Sequence, residues 1–150
     1  MERVTMRNRR LLIVSLALLL VTTVQGQEER RFVVLPARAA GAIASGGTWQ
    51  ITKADIDGLE ASLSQISGLR AEGWRSSIHI KNPEQYFRQY VAIIRDSKKG
   101  IYVNAFCNRQ DLSYWRDRLV VVDDGATCYW QAVYDPITKK FSSLRINSRA

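Results

Sequence analysis

The sequence predicts an α+β domain: one N-terminal helix packed on a curved antiparallel sheet of about four to five strands. Three observations predict it. A single amphipathic helical pattern lies early in the chain, and segments rich in aromatic and β-branched residues follow it. No internal repeat or linker interrupts residues 50–147. A helix followed by a run of strands segregates into a helix layer laid on one face of a sheet.

Residues 1–26 read as a secretory signal peptide. Arg3, Arg7, Arg9 and Arg10 precede an apolar block at 11–20, and Val24-Gln25-Gly26 supplies a small residue at the cut, leaving Gln27 as the mature start. The block is shorter than the roughly 20 residues a bilayer span needs. A retained anchor is the alternative; the reading adopted is a secreted or periplasmic protein with no stable membrane anchor after cleavage near Gly26. Removing 26 of the 150 residues leaves 124, one domain of ordinary size. The leader carries four arginines and one glutamate, so the net charge of +8 falls to +5. Export removes nucleic acid as the usual partner of a basic surface. An unknown protein or an acidic glycan, in the cell envelope or outside the cell, is the expected partner, although a surplus of +5 also serves solubility.

Residues 27–48 mix a charged start, the short run "FVVL" and an Ala/Gly/Ser stretch, which reads as a flexible N-terminal arm; "RFVVL" is alternatively an edge strand. Residues 49–150 form the single domain. Within it, "TKADIDGLEASLSQISG" (52–68) is the clearest helix. Thr52 is the N-cap, Asp55 completes a capping box, and Ile56, Leu59, Leu63 and Ile66 make one apolar stripe ending at Gly68. Segments 85–95, 100–107, 128–134 and 141–147 carry strand composition, as do the shorter "SIHI" (77–80) and "LVVV" (119–122). "DSKKG" and Asp135-Pro136 read as turns. "DDG" at 123–125 reads as the tip of a hairpin between "LVVV" and "CYWQAVY".

Cys107 and Cys128 are the only cysteines. An even count in an exported chain reads as one disulfide, whereas zinc wants about four ligands and no CxxC is present. The loop between them gives roughly 3 kcal/mol by chain-entropy reasoning. In a plain meander including "LVVV", the two cysteines would sit at opposite sheet ends, beyond the roughly 7 Å that a disulfide tolerates between Cα atoms. Segments 85–95, 100–107 and 128–134 are therefore expected as neighbours. Residues 108–127 then form an excursion, with "LVVV" as a side strand.

Chemistry is sparse. Asp123 and Asp124 are adjacent, so on a strand they point to opposite faces and do not converge on one atom. His79 is the sole histidine. It reads as a packed or surface residue, or as a base in a helix–sheet pocket of a small-ligand carrier or hydrolase. No G-x-S-x-G, G-x-G-x-x-G, P-loop or H-E-x-x-H occurs. Catalytic residues, metal and cofactor are accordingly none. Tyrosine, tryptophan and arginine gather in the sheet half. The candidate binding surface is Arg88, Tyr90, Tyr102, Trp115, Arg116, Tyr129 and Gln131, accompanied by Arg95 and Arg118. Ordinary cross-strand pairing is the alternative account of those aromatics.

The string "IYVNAFC…VVVDDG…YW…VYDPITKKFSSLRIN" resembles a family of small exported bacterial proteins of unknown function, over roughly residues 85–147. The second cysteine departs from that pattern, sitting after the turn at 128. The helix-then-sheet order is also similar to the cystatin-like architecture. Cystatin-type protease inhibitors carry Q-x-V-x-G on a hairpin, and "QAVYD" keeps Gln131 and Val133 with Asp135 in place of glycine. The leading expectation is a non-catalytic binding module stabilised by one disulfide. A protease inhibitor using the 131–136 hairpin is the alternative that the resemblance implies.

Overall fold

The computed structural model describes residues 30–39, 41–44, 46–73, 78–109 and 112–148. The signal-peptide reading of 1–26 lies outside them. Among the described residues, no helix is long and apolar enough to cross a membrane.

Strand β1 (Phe32–Leu35), helix α1 (Lys53–Ala61), and strands β2 (Phe87–Arg95), β3 (Lys98–Phe106), β4 (Tyr129–Asp135) and β5 (Lys140–Ile146) make an α+β arrangement. The five strands lie side by side in chain order. All neighbours are antiparallel except β1 and β2, which run parallel, with Phe32 opposite Arg88 and Leu35 opposite Val91. This corrects two expectations. The helix is not the first element, and the sheet is not wholly antiparallel. Both differences follow from "FVVL" adopting its edge-strand alternative, because a parallel pair needs a long crossover and α1 lies within that connection.

The capping box forms as the sequence implies. The Asp55 N–H donates to Thr52 Oγ1 at 3.2 Å, and the Thr52 N–H returns to Asp55 Oδ2 at 2.8 Å. The helix is shorter than the periodic pattern, ending at Ala61 and continuing as a 3-10 turn over Leu63–Gly68. Ser62 explains the break. Its hydroxyl donates to Gly58 O at 2.8 Å, a back-bond that competes with the helical ladder. The stripe survives the change of pitch, since Ile56, Leu59, Leu63 and Ile66 are all buried. They pack on Tyr90, Ile101, Val103, Trp130, Tyr134, Phe141 and Leu144. The space between helix and sheet is thus filled. His79 is exposed, with Nδ1 at 3.1 Å from Ser67 O, and does not enter it.

The disulfide Cys107–Cys128 is present, with Cα atoms 5.0 Å apart. It sits where β3 leaves the sheet and β4 enters it, and the Cys107 N–H donates to Cys128 O at 2.9 Å. Residues 85–95, 100–107 and 128–134 are neighbours, as the cysteine argument requires. Three local readings are corrected. "LVVV" is not a strand, residues 78–80 of "SIHI" are irregular backbone, and the turn after β2 is only Asp96-Ser97. Those two residues have φ of 48° and 59°, the mirror-image turn that matches strand twist, so Lys98 and Lys99 join β3. "DDG" is not a hairpin tip: Asp123 is a bend, Asp124-Gly125 is irregular backbone, and a 3-10 turn at Ala126–Cys128 then leads into β4. Gly125 has φ of +96°, and a Cβ there would meet the Tyr129 ring at 2.4 Å. Gly125→Ala is expected to cost about 1–3 kcal/mol, read as a lower urea midpoint at unchanged slope.

Candidate functional site

The seven residues expected on one binding surface are dispersed. Arg88 and Tyr90 are buried on the helix side and belong to a staple. Arg88 Nη2 reaches Glu60 Oε2 of α1 at 3.0 Å, Nε donates to the Tyr90 hydroxyl at 2.9 Å, and Nη1 is shared among the carbonyls of Pro83, Glu84 and Tyr86 at 3.3, 2.8 and 2.6 Å. The Tyr90 hydroxyl in turn donates to Glu60 Oε1. Every direction of the guanidinium is occupied, so the group ties helix, loop and strand together. Trp115 is also buried, packed from the excursion onto Phe87 and Phe106 of the sheet, while Arg116 is exposed beside it. Tyr102, Tyr129 and Gln131 are half-buried on the face opposite α1. There Tyr102 lines a small groove of about 140 Å³ with Arg95, Arg145, Gln131, Ser143 and Glu72.

Burial pushes the phenols of Tyr86, Tyr90 and Tyr102 above their ordinary value of 10.0. At Tyr90, Arg88 pulls the other way and Glu60 adds to the rise. A raised folded-state value gives stability that is complete below the unfolded value and is lost as pH climbs beyond it. Urea midpoints should therefore hold between pH 8 and 9 and fall above about 10, the unfolded phenol value. A midpoint unchanged at pH 11 would contradict the burial argument.

One polar feature escapes sequence reading. Gln89, Asn104 and Gln131 stand opposite one another on β2, β3 and β4. Their amides form a row across the sheet, with Asn104 Nδ2 donating to Gln89 Oε1 at 2.9 Å and Gln131 Nε2 to Asn147 Oδ1 at 3.0 Å. The row holds the excursion. Gln89 Nε2 donates to Trp115 O and Arg118 O at 2.5 and 2.6 Å, and the Val120 N–H donates to Gln89 Oε1 at 2.8 Å. Asn104 Nδ2 donates to Val120 O at 2.8 Å, and Asn147 Nδ2 donates to Val122 O. This is why "LVVV" forms no strand: side-chain amides satisfy backbone groups that a ladder would otherwise pair. A glutamine or asparagine at inward alternating positions is the available signal, readable only once the register is known.

A cleft of about 690 Å³ opens at the hairpin end of the sheet. Three segments frame it: the approach to α1 (Trp49, Gln50, Thr52, Asp55), the β2–β3 turn with Ser97, Lys98 and Lys99, and the β4–β5 turn with Asp135 to Thr138. Each wall is fixed. The Trp49 indole N–H is shared between Ile93 O and Gly100 O at 3.1 Å each, bridging β2 to β3, and Lys99 Nζ lies 5.2 Å over its ring. Asp135 Oδ1 accepts from the Ile137 and Thr138 N–H groups at 2.8 and 3.2 Å. Partial burial pushes the Asp135 carboxyl up, but the backbone donors of Thr138 and Ile137, with Lys98 nearby, outweigh it and hold it below its ordinary value of 3.8. The other acid of the cleft, Asp55, is engaged by Thr52. Ile137 projects from the turn, 81% exposed. None of the seven expected binding residues lines this cleft. Trp49 passed unnoticed in sequence because it stands before the helix, outside any periodic pattern.

Among the described residues, no three His, Cys, Asp or Glu side chains are grouped to hold a metal ion. No protein-family model, curated protein or solved structure matches the chain.

Proposed function

We propose that the protein is an exported, non-catalytic binding module, and that it receives a small ligand bearing a ring and an acidic group in the hairpin-end cleft. The observation that carries this reading is Trp49, whose ring is held by two hydrogen bonds with a lysine ammonium 5.2 Å over it. The indole lies in the cleft wall with Pro136 and Ile137, apolar surface for a flat ring, and Lys98 and Lys99 supply positive charge for an anionic substituent. Both carboxylates of the cleft hold backbone groups in place, which suits recognition better than proton transfer. The cavity volume falls in the range of small-ligand sites. A helix before β2 and a long excursion between β3 and β4 support a cystatin-like arrangement with a parallel first strand added.

The test is titration with a panel of acidic sugars and aromatic carboxylates, followed by tryptophan fluorescence. Saturable quenching by at least one compound, lost in Trp49→Ala and weakened in Lys99→Ala, is the expected result. A panel that leaves the fluorescence untouched removes the reading.

A second reading, protease inhibition at the same end, is favoured by Ile137 standing 81% exposed at a turn tip, where a partner's pocket can take it. Gln131 and Val133 do not carry it. Gln131 is bound into the amide row and Val133 packs with Leu35, Val91 and Ile93. Inhibition of a papain-like enzyme that Ile137→Asp abolishes would favour this reading, and no inhibition by the parent protein sinks it.

A further inference from the structure

The groove of about 140 Å³ on the sheet face opposite α1 gathers two arginines around one phenol. Arg95, Arg145, Tyr102, Ser143 and Glu72 line it. Among the described residues, neither guanidinium has a hydrogen bond or an ion pair, and the Tyr102 hydroxyl has no hydrogen bond. Burial raises the Tyr102 phenol while Arg145 and Arg95 pull against the rise, which places both charges close to its hydroxyl.

A β-bulge delivers Arg145 to this face. Gln131 stands opposite Arg145 and Val133 opposite Ser142, so Ser143 and Leu144 together face Ala132. Strict alternation from the buried Phe141 would send Arg145 into the core. The extra residue reverses the phase, leaving Leu144 and Ile146 buried and Arg145 exposed. Ser143 carries the strain, with φ of 55°. Arg95 ends β2 on the same face, in alternation with Val91 and Ile93. The Glu72 N–H donates to Leu144 O at 2.7 Å, which fixes residue 72 beside the bulge.

We propose that this groove binds inorganic hydrogen phosphate. Its volume is well below the roughly 300 Å³ where pockets for drug-sized ligands begin, so one small ion suits it. Two guanidinium forks and two hydroxyls present donors from several sides, which matches a tetrahedral oxyanion. Glu72 then selects among oxyanions. A carboxylate only accepts, so it favours an anion that keeps a proton at neutral pH. Phosphate keeps one and sulfate keeps none. The lining holds two cations and one acid; the adjoining groove adds Lys98 and Lys99 against Asp96 and Asp135, so the local balance stays at +1. Gln131 also lines the groove, but its amide is committed to the row across the sheet. The inference does not rest on the hairpin-end cleft, which shares no lining residue with this groove.

Isotope-labelled full-chain protein titrated with inorganic phosphate, at neutral pH and constant ionic strength, tests it. Saturable shifts are expected at the Nε–H groups of Arg95 and Arg145 and at the backbone of Ser143. Sulfate should bind at least about tenfold more weakly, because it meets the Glu72 carboxylate with no proton to share. Arg95→Gln and Arg145→Gln should each weaken phosphate by about tenfold or more through the loss of charge-assisted donors. Glu72→Gln supplies an amide that also donates, and should raise sulfate binding to the level of phosphate. All three positions are exposed, so the urea midpoint should hold in each variant. Phosphoserine, whose phosphate is mostly without a proton at about pH 7, should bind more weakly than the free ion. Tighter binding of phosphoserine would overturn the proposal by assigning the groove to phosphate esters. So would equal affinity of the parent protein for phosphate and sulfate, phosphate binding untouched by both arginine substitutions, or no saturable shift at all.

Discussion

Arg88→Ala is expected to destabilise the fold by about 3–5 kcal/mol, the cost of removing one member of a buried ion pair and leaving its partners without compensation. The structure says which partners. Glu60 loses its ion pair, the Tyr90 hydroxyl loses a donor, and the carbonyls of Pro83, Glu84 and Tyr86 lose theirs. Glu60 can relax, its side chain being 28% exposed, but Arg88 at 4% cannot be replaced by water without opening the helix–sheet contact. The control is Glu60→Gln with Arg88→Met, which removes both charges together and should recover part of the loss. Urea unfolding of the single and double variants gives the coupling directly. A loss below about 1 kcal/mol for Arg88→Ala, the range of exposed pairs, would show that the pair acts as a surface salt bridge.

Gln89→Leu is expected to cost about 3–4 kcal/mol, because one side chain serves three backbone groups and each buried group left unpaired costs about 1–3 kcal/mol. Its amide nitrogen holds Trp115 O and Arg118 O, and its oxygen holds the Val120 N–H together with Asn104. The shape of the loss is more telling than its size. Residues 112–122 should detach while the sheet persists, since the disulfide keeps the base of the excursion closed. Hydrogen exchange should then speed at Trp115 and Val120 and stay slow in β3 and β4. Uniformly faster exchange across the sheet would mean that the row supports the whole fold.

Much of the framework was legible in the sequence because it rests on local rules. The capping box at Thr52, the apolar stripe from Ile56 to Ile66 and the turn at Asp135-Pro136 each follow from side-chain spacing within a few residues. The cysteine argument reached further, since a short covalent bond constrains strand order without any knowledge of packing. The failures share a cause, for each depended on what lay across the sheet. Hydrophobicity made "LVVV" a strand, but side-chain amides from β2, β3 and the end of β5 took its backbone groups. Arg88 and Tyr90 looked like surface recognition residues, yet pairing with Glu60, 28 and 30 positions away, makes burial affordable. The cleft joins segments near 50, 98 and 136, and no window of the sequence contains all three.

The claim that the hairpin-end cleft is the recognition site is tested most directly by mapping ligand contacts residue by residue. Isotope-labelled full-chain protein titrated with the same acidic sugars and aromatic carboxylates should show saturable shifts at the Trp49 indole N–H and at the backbones of Lys99, Ile137 and Thr138. Residues of α1 beyond its first turn should stay fixed. Shifts centred instead on the Tyr102 groove or the excursion, with Trp49 unmoved, would contradict the account.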